Sequence, residues 1–147
     1  MLFRSNGYTS NSVRLTSFAT HDVKLAATNI TYQTGTLGRF YVATNVITQT
    51  NLFGKGSATA NTLGLYYFTC TTNQYRETNS IVDISYHYVA TGSSGVPLDT
   101  DSDGLADYWE DANGSGTLNS GETKTNDSAD WGLKVFITRP KTGGPYP

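Results

Sequence analysis

A single cysteine, Cys70, stands in the whole chain, so no disulfide can close within it, and no Cys/His spacing of a metal finger exists. Long apolar runs are missing, which excludes a membrane-spanning helix. Basic runs are missing too, which argues against a nucleic-acid partner. The opening MLFRSNGYTS has no apolar signal core. There is no G-x-S-x-G elbow, no H-E-x-x-H and no phosphate-cradling glycine loop. No long segment repeats its apolar residues at helical spacing. Acidic residues are almost absent from the first two thirds: only Asp22, Glu77 and Asp83 precede position 99.

What the chain does have is Tyr, Val, Leu and Phe set among Thr, Ser, Asn and Gly, a mixture that suits strands and turns. Its 147 residues are the size of one domain. Short strands are expected over 13–19, 23–32, 39–47, 63–71 and 81–90, separated by turn signals such as Gly35 with Gly38 and Gly54–Lys55–Gly56–Ser57. In the last of them Val82, Ile84, Tyr86 and Tyr88 form the more apolar of two alternating sets, the pattern of a half-buried strand. The expected fold is mainly β, a short-strand sandwich or a β-solenoid-like body carrying an irregular calcium-binding loop segment. Residues 1–92 make that body, 93–98 a linker flexible by composition, 99–130 the loops, and 131–147 a returning strand (133–138) with a flexible tail.

The other nine of the 12 acidic residues fall between Asp99 and Asp130, with Lys124 the one basic residue among them. Such a cluster repels itself when folded, and a bound cation is the simplest remedy. Its spacing names the cation. In DTDSDGLADYWE, carboxylates stand at loop positions one, three, five and nine (Asp99, Asp101, Asp103, Asp107), Gly104 is sixth and Glu110 twelfth. This is the calcium-loop pattern D-x-D-x-D-G-x₅-E. Alternate short side chains on a tightly curved loop point at one centre, and the glycine permits the turn. The Leu105 carbonyl is expected to face the ion, and the longer Glu110 to close the shell. The template repeats without a spacer in DANGSGTLNSGE: Asp111, Asn113, Ser115, Thr117, Asn119 and Glu122 are the second set of ligands, with Gly116 sixth. Fewer charges there imply weaker binding. Trp109 and Trp131 flank the loops and read as anchors to the β body.

The tandem unit resembles the thrombospondin type 3 and dockerin-like calcium repeats of secreted proteins over roughly residues 97–122. That resemblance implies an extended, helix-poor, calcium-dependent segment with ligands Asp99, Asp101, Asp103, Asp107, Glu110, Asp111, Asn113, Asn119 and Glu122; it carries over no enzymatic activity of its own. The preceding NSIVDISYHYVATGSSGVPLDTDSDG looks like the closing coil of bacterial parallel β-helix proteins, with Ser85 where a glycine is expected. It implies the C-terminal piece of a larger surface protein.

Two function classes follow. The first is an extracellular or cell-surface module in which Ca²⁺ stabilises the acidic segment; weak acidic loops need the millimolar calcium found outside cells. The second is a calcium-dependent hydrolase of a small neutral ester or lactone, a lactonase for example, with the ion as Lewis acid. Its proton would be moved by one of Asp107, Asp127, Asp130 or His87, with His21 a further histidine beside an acid. Asp83 and His87, four apart in one strand, form a candidate acid–base pair.

Overall fold

The computed structural model describes residues 7–13, 22–26 and 29–132. The returning strand over 133–138, most of the strand over 13–19, His21 and the tail lie outside the described residues.

Among the described residues the chain is mainly β, with few helical turns and no closed barrel. Strand β1 (Gly7–Tyr8) pairs parallel with β2 (Val23–Lys24). Strand β3 (Tyr32–Gln33) pairs antiparallel with β4 (Tyr41–Val42), and β5 (Phe68–Thr69) antiparallel with β6 (Tyr88–Val89). Each regular strand is two residues long, far shorter than its apolar run suggests. The run 39–47 gives β4 and then coils into a 3₁₀ turn, Ile47–Leu52. The run 63–71 starts at the end of a second 3₁₀ turn, Ala60–Leu63, and straightens only at β5. The abundant Thr, Ser and Asn explain this, because their side chains offer the backbone local partners that compete with a ladder. Thr62 Oγ1 on Thr59 O and Thr50 Oγ1 on Ile47 O are such bonds.

The run 81–90 exchanges partners along its length. Gly56 N donates to Val82 O, Val82 N to Ala58 O and Ile84 N to Leu52 O, before β6 joins β5. The expected alternation breaks within it: Val82 is buried, Ile84 and Tyr88 are half-buried, and Tyr86 is 59 % exposed.

The core is small. Leu25, Val42 and Leu52 pack together under Val23, Ile30, Phe53 and Ile84. Gln49, fully buried, returns a bidentate amide to Thr31, donating to its carbonyl (2.9 Å) and accepting from its N–H (2.6 Å). Tyr41 stacks on Tyr88 at 4.4 Å between ring centres. The predicted linker is a closed hairpin: Thr91 bridges Pro97, Gly92 N donates to Val96 O, and buried Thr91 donates through N and Oγ1 to Gln74 Oε1.

The acidic segment docks on this body, but not through its tryptophans. Trp109 and Trp131 are 64 % and 68 % exposed, which corrects their expected anchoring role. The anchors are Tyr66, Tyr67 and Arg76. Tyr66 N donates to Gly114 O (3.2 Å), and the Arg76 guanidinium lies over the rings of both Tyr66 and Tyr67. Gly114, at φ 63°, lies backbone to backbone against Gly64, and a Cβ there would strike the Gly64 carbonyl. Gly114→Ala is therefore expected to cost about 1–3 kcal/mol through overpacking, added to the strain of a left-handed alanine. Thermal melting in calcium measures it; a melting point equal to that of the parent chain would contradict this docking.

Candidate metal centre

The first acidic loop forms a cup of carboxylates. Asp99, Asp101 and Asp103 each bring an oxygen within 4.8 Å of the other two. The loop's own amides hold them in place. Ser102 N and Gly104 N donate to the two oxygens of Asp99 (2.7 and 3.0 Å). Asp103 N donates to Asp101 Oδ1 (3.2 Å), and Leu105 N to Asp103 Oδ1 (2.7 Å). Gly104 takes φ 98°, the left-handed conformation for which position six needs glycine. Asp101 and Asp103 thus each commit one oxygen to an amide and keep Oδ2 buried with no partner.

Glu110 supplies a third such oxygen. Its side chain ends the only α-helical turn among the described residues, α1 (Asp107–Glu110), and is 2 % exposed. Oε1 accepts from Thr123 Oγ1 (3.1 Å), while Oε2 is buried without a partner. Burial, reinforced by the charges of Asp101, Asp103 and Asp107, raises its pKa from 4.5 to about 7. Three oxygens, from loop positions three, five and twelve, are therefore buried and unpaired in one loop.

Asp107 is placed differently from the expected ligand at position nine. It is 2 % exposed, and both its oxygens are occupied: Oδ1 accepts from Thr100 N (2.7 Å), and Oδ2 from Thr100 Oγ1 (2.8 Å) and Arg76 Nη1 (3.1 Å). It ties the loop's start to the β body through Arg76. Sequence spacing could not have shown this, because Arg76 lies 31 positions away.

The second loop has a similar scaffold and more complete pairing. Asp111, buried, accepts from Ser115 N (3.1 Å) and Gly116 N (2.5 Å) and also bonds the Tyr67 hydroxyl, whose pKa rises through burial and this neighbour. Asn113 Oδ1 accepts from Ser115 N, and Ser115 Oγ lies 2.9 Å from Thr117 Oγ1. Asn119 Nδ2 donates to Thr117 O and Ser115 Oγ, while Glu122 accepts from Asn113 N and Asn119 N. No side-chain oxygen of this loop is buried and unpaired. Beside it a cavity of about 260 Å³ is lined by Tyr67, Asp111, Thr117, Thr123 and Asn126.

The candidate proton-transfer residues have other partners. Asp127 accepts from Lys124 Nζ (3.0 Å) at an exposed pair, and Asp130 Oδ2 from Lys124 N (3.4 Å). His87 pairs with Glu77 at 2.9 Å rather than with Asp83, which accepts from Cys70 Sγ (3.0 Å) and Gly54 N (2.6 Å). Burial and Asp83 push the Cys70 thiol far above its usual pKa, so it is a neutral thiol and no nucleophile.

A raised acid stabilises the fold while it is neutral. Glu110's contribution is complete below 4.5 and lost as pH rises through about 7. In chelator, the melting point should therefore fall between those values, and Glu110→Gln should flatten the fall. Identical pH slopes for the two chains would refute the assignment. Comparison of the chain with protein-family models, curated proteins and solved structures finds no match.

Proposed function

We propose that this chain is a calcium-binding extracellular module in which the ion stabilises an acidic tandem loop docked on a β body. The observation that carries the reading is the set of buried, unpartnered oxygens Asp101 Oδ2, Asp103 Oδ2 and Glu110 Oε2. An orphaned buried acceptor is costly, and a charged one more so. Asp101 and Asp103 converge with Asp99, their oxygens within 4.8 Å of one another, and Glu110 stands at the twelfth position of the same calcium-loop pattern. Calcium takes six to eight hard oxygens, and the loop offers carboxylates but no cysteine, methionine or histidine. The primary ion belongs to the first loop. The second loop has fewer carboxylates and no orphaned oxygen, so it binds a second ion more weakly.

The body is mainly β, a short-strand sandwich or a solenoid-like coil: β1–β2 is parallel, while the other two described strand pairs are antiparallel. A lactone- or ester-hydrolysing site gains no support, since Asp107 and His87 are each held by partners other than a substrate-facing group.

Calorimetry tests the reading. Asp101→Ala with Asp103→Ala should remove the tighter of two calcium-binding events; unchanged stoichiometry and affinity would contradict it. Calcium should also raise the melting point of the parent chain, with stabilisation of about 2.7 kcal/mol when free calcium is roughly 100 times Kd. Equal melting points in calcium and in excess chelator would be incompatible with the proposal.

A further inference from the structure

Two glycines meet where the second acidic loop rests on the β body. Gly114 is buried at φ 63°, and a Cβ on it would strike the Gly64 carbonyl. Gly64 takes φ 74°, and a Cβ there would meet Asn113 O at 2.9 Å. The residue that precedes Gly114 is exposed Asn113, position three of the second loop. An asparagine followed by glycine is chemically labile, because no Cβ keeps the next backbone nitrogen from reaching the side-chain carbonyl carbon. The pair occurs twice in the chain, at Asn6–Gly7 and Asn113–Gly114. At the second, hydrogen bonds restrain both reacting groups. Gly114 N, the nucleophile, donates to Asp111 O (3.0 Å). Asn113 Oδ1, on the carbon to be attacked, accepts from Ser115 N (2.9 Å). The flanking backbone is pinned too: Asn113 N donates to Glu122 Oε1 (3.2 Å), and Tyr66 N to Gly114 O (3.2 Å).

We propose that Asn113–Gly114 is a self-modification site, held latent by docking on Gly64 and released when the second loop lifts off the body. Local opening of this kind frees the Gly114 amide without unfolding the chain. Gly114 N then bonds to Asn113 Cγ. The Cγ–Nδ2 bond breaks, and the amide nitrogen leaves as ammonia with the proton from Gly114 N. A five-membered imide remains. Water opens it at either carbonyl: at Cγ the product is aspartate, at the main-chain carbonyl it is isoaspartate. Aspartate keeps an acceptor for Ser115 N and places a carboxylate at loop position three, where the first loop has Asp101. Calcium loops gain affinity with ligand charge, so this product strengthens the second loop. Isoaspartate lengthens the main chain by one methylene at the Gly64 contact, so that product cannot dock again in the same way. The calcium dependence of the latch rests on the second loop holding an ion, as proposed above; the latch itself rests on the docking contacts.

The full chain is incubated in mildly alkaline buffer with chelator or with calcium, and peptide mapping by mass spectrometry follows Asn113 and Asn6 in the same sample. Asn113 should convert in chelator, and about tenfold more slowly with free calcium at roughly ten times the Kd of the second loop, while Asn6 changes little. Gly64→Ala, which pushes against Asn113 O, should speed conversion of Asn113 in calcium, with far-ultraviolet circular dichroism confirming the fold. In calorimetry, Asn113→Asp should tighten the weaker calcium event several-fold; an affinity no better than the parent's overturns the gain assigned to aspartate. An Asn113 that stays intact in chelator overturns the proposal. So does calcium slowing both asparagines alike, because protection would then come from the whole fold. Conversion that calcium fails to slow, yet Gly64→Ala speeds, upholds the latch and counts against an ion in the second loop.

Discussion

Taking a carboxylate oxygen out of water without giving it a partner costs on the order of 1–3 kcal/mol for a neutral acid and more for a charged one. The first acidic loop does this with Asp101 Oδ2, Asp103 Oδ2 and Glu110 Oε2. The loop's amides could have paired several of these oxygens; instead they hold the opposite oxygens of Asp101 and Asp103 and both of Asp99. The backbone therefore arranges the carboxylates without neutralising them. The rest of the segment depends on how that charge is met. A proton meets part of it, at Glu110, whose pKa rises to about 7. A multivalent cation would meet all of it at once.

A cup of this kind needs a rigid base, and the β body provides it through a few contacts of long sequence separation. Arg76 spans the join: its guanidinium pairs with buried Asp107 and covers the rings of Tyr66 and Tyr67. Tyr67 reaches Asp111, the first residue of the second loop, and the close backbone approach of Gly64 and Gly114 fixes that loop's position. Asp107 and Asp111 open the two halves of the join. The short turn Asp107–Glu110 leads directly from the first loop into Asp111, the start of the second.

The convergence of Asp99, Asp101 and Asp103 was legible in the sequence because it is local. Asp99, Asp101, Asp103 and Gly104 act within six residues of one another, and period and residue type specify their amide partners. The fold was legible only as a β-rich composition. Strand lengths were not, because whether Thr50 or Thr62 bonds its own turn or a ladder depends on what the backbone finds nearby. The distant pairings were invisible: Asp107 with Arg76, His87 with Glu77 and Cys70 with Asp83. A single cysteine with no spacing motif gave no sign that Cys70, Glu77 and Asp83 come together. The tryptophans misled because an aromatic side chain beside a loop is read as an anchor, whereas tyrosine and glycine made the closer fit.

If the three unpaired oxygens share one calcium ion, a crystal structure of the chain grown in millimolar calcium should hold that ion in the first loop, at about 2.3–2.6 Å from Asp101 Oδ2, Asp103 Oδ2 and a Glu110 oxygen, within a shell of six to eight oxygens. A structure from the same conditions in which these oxygens surround no ion would contradict it.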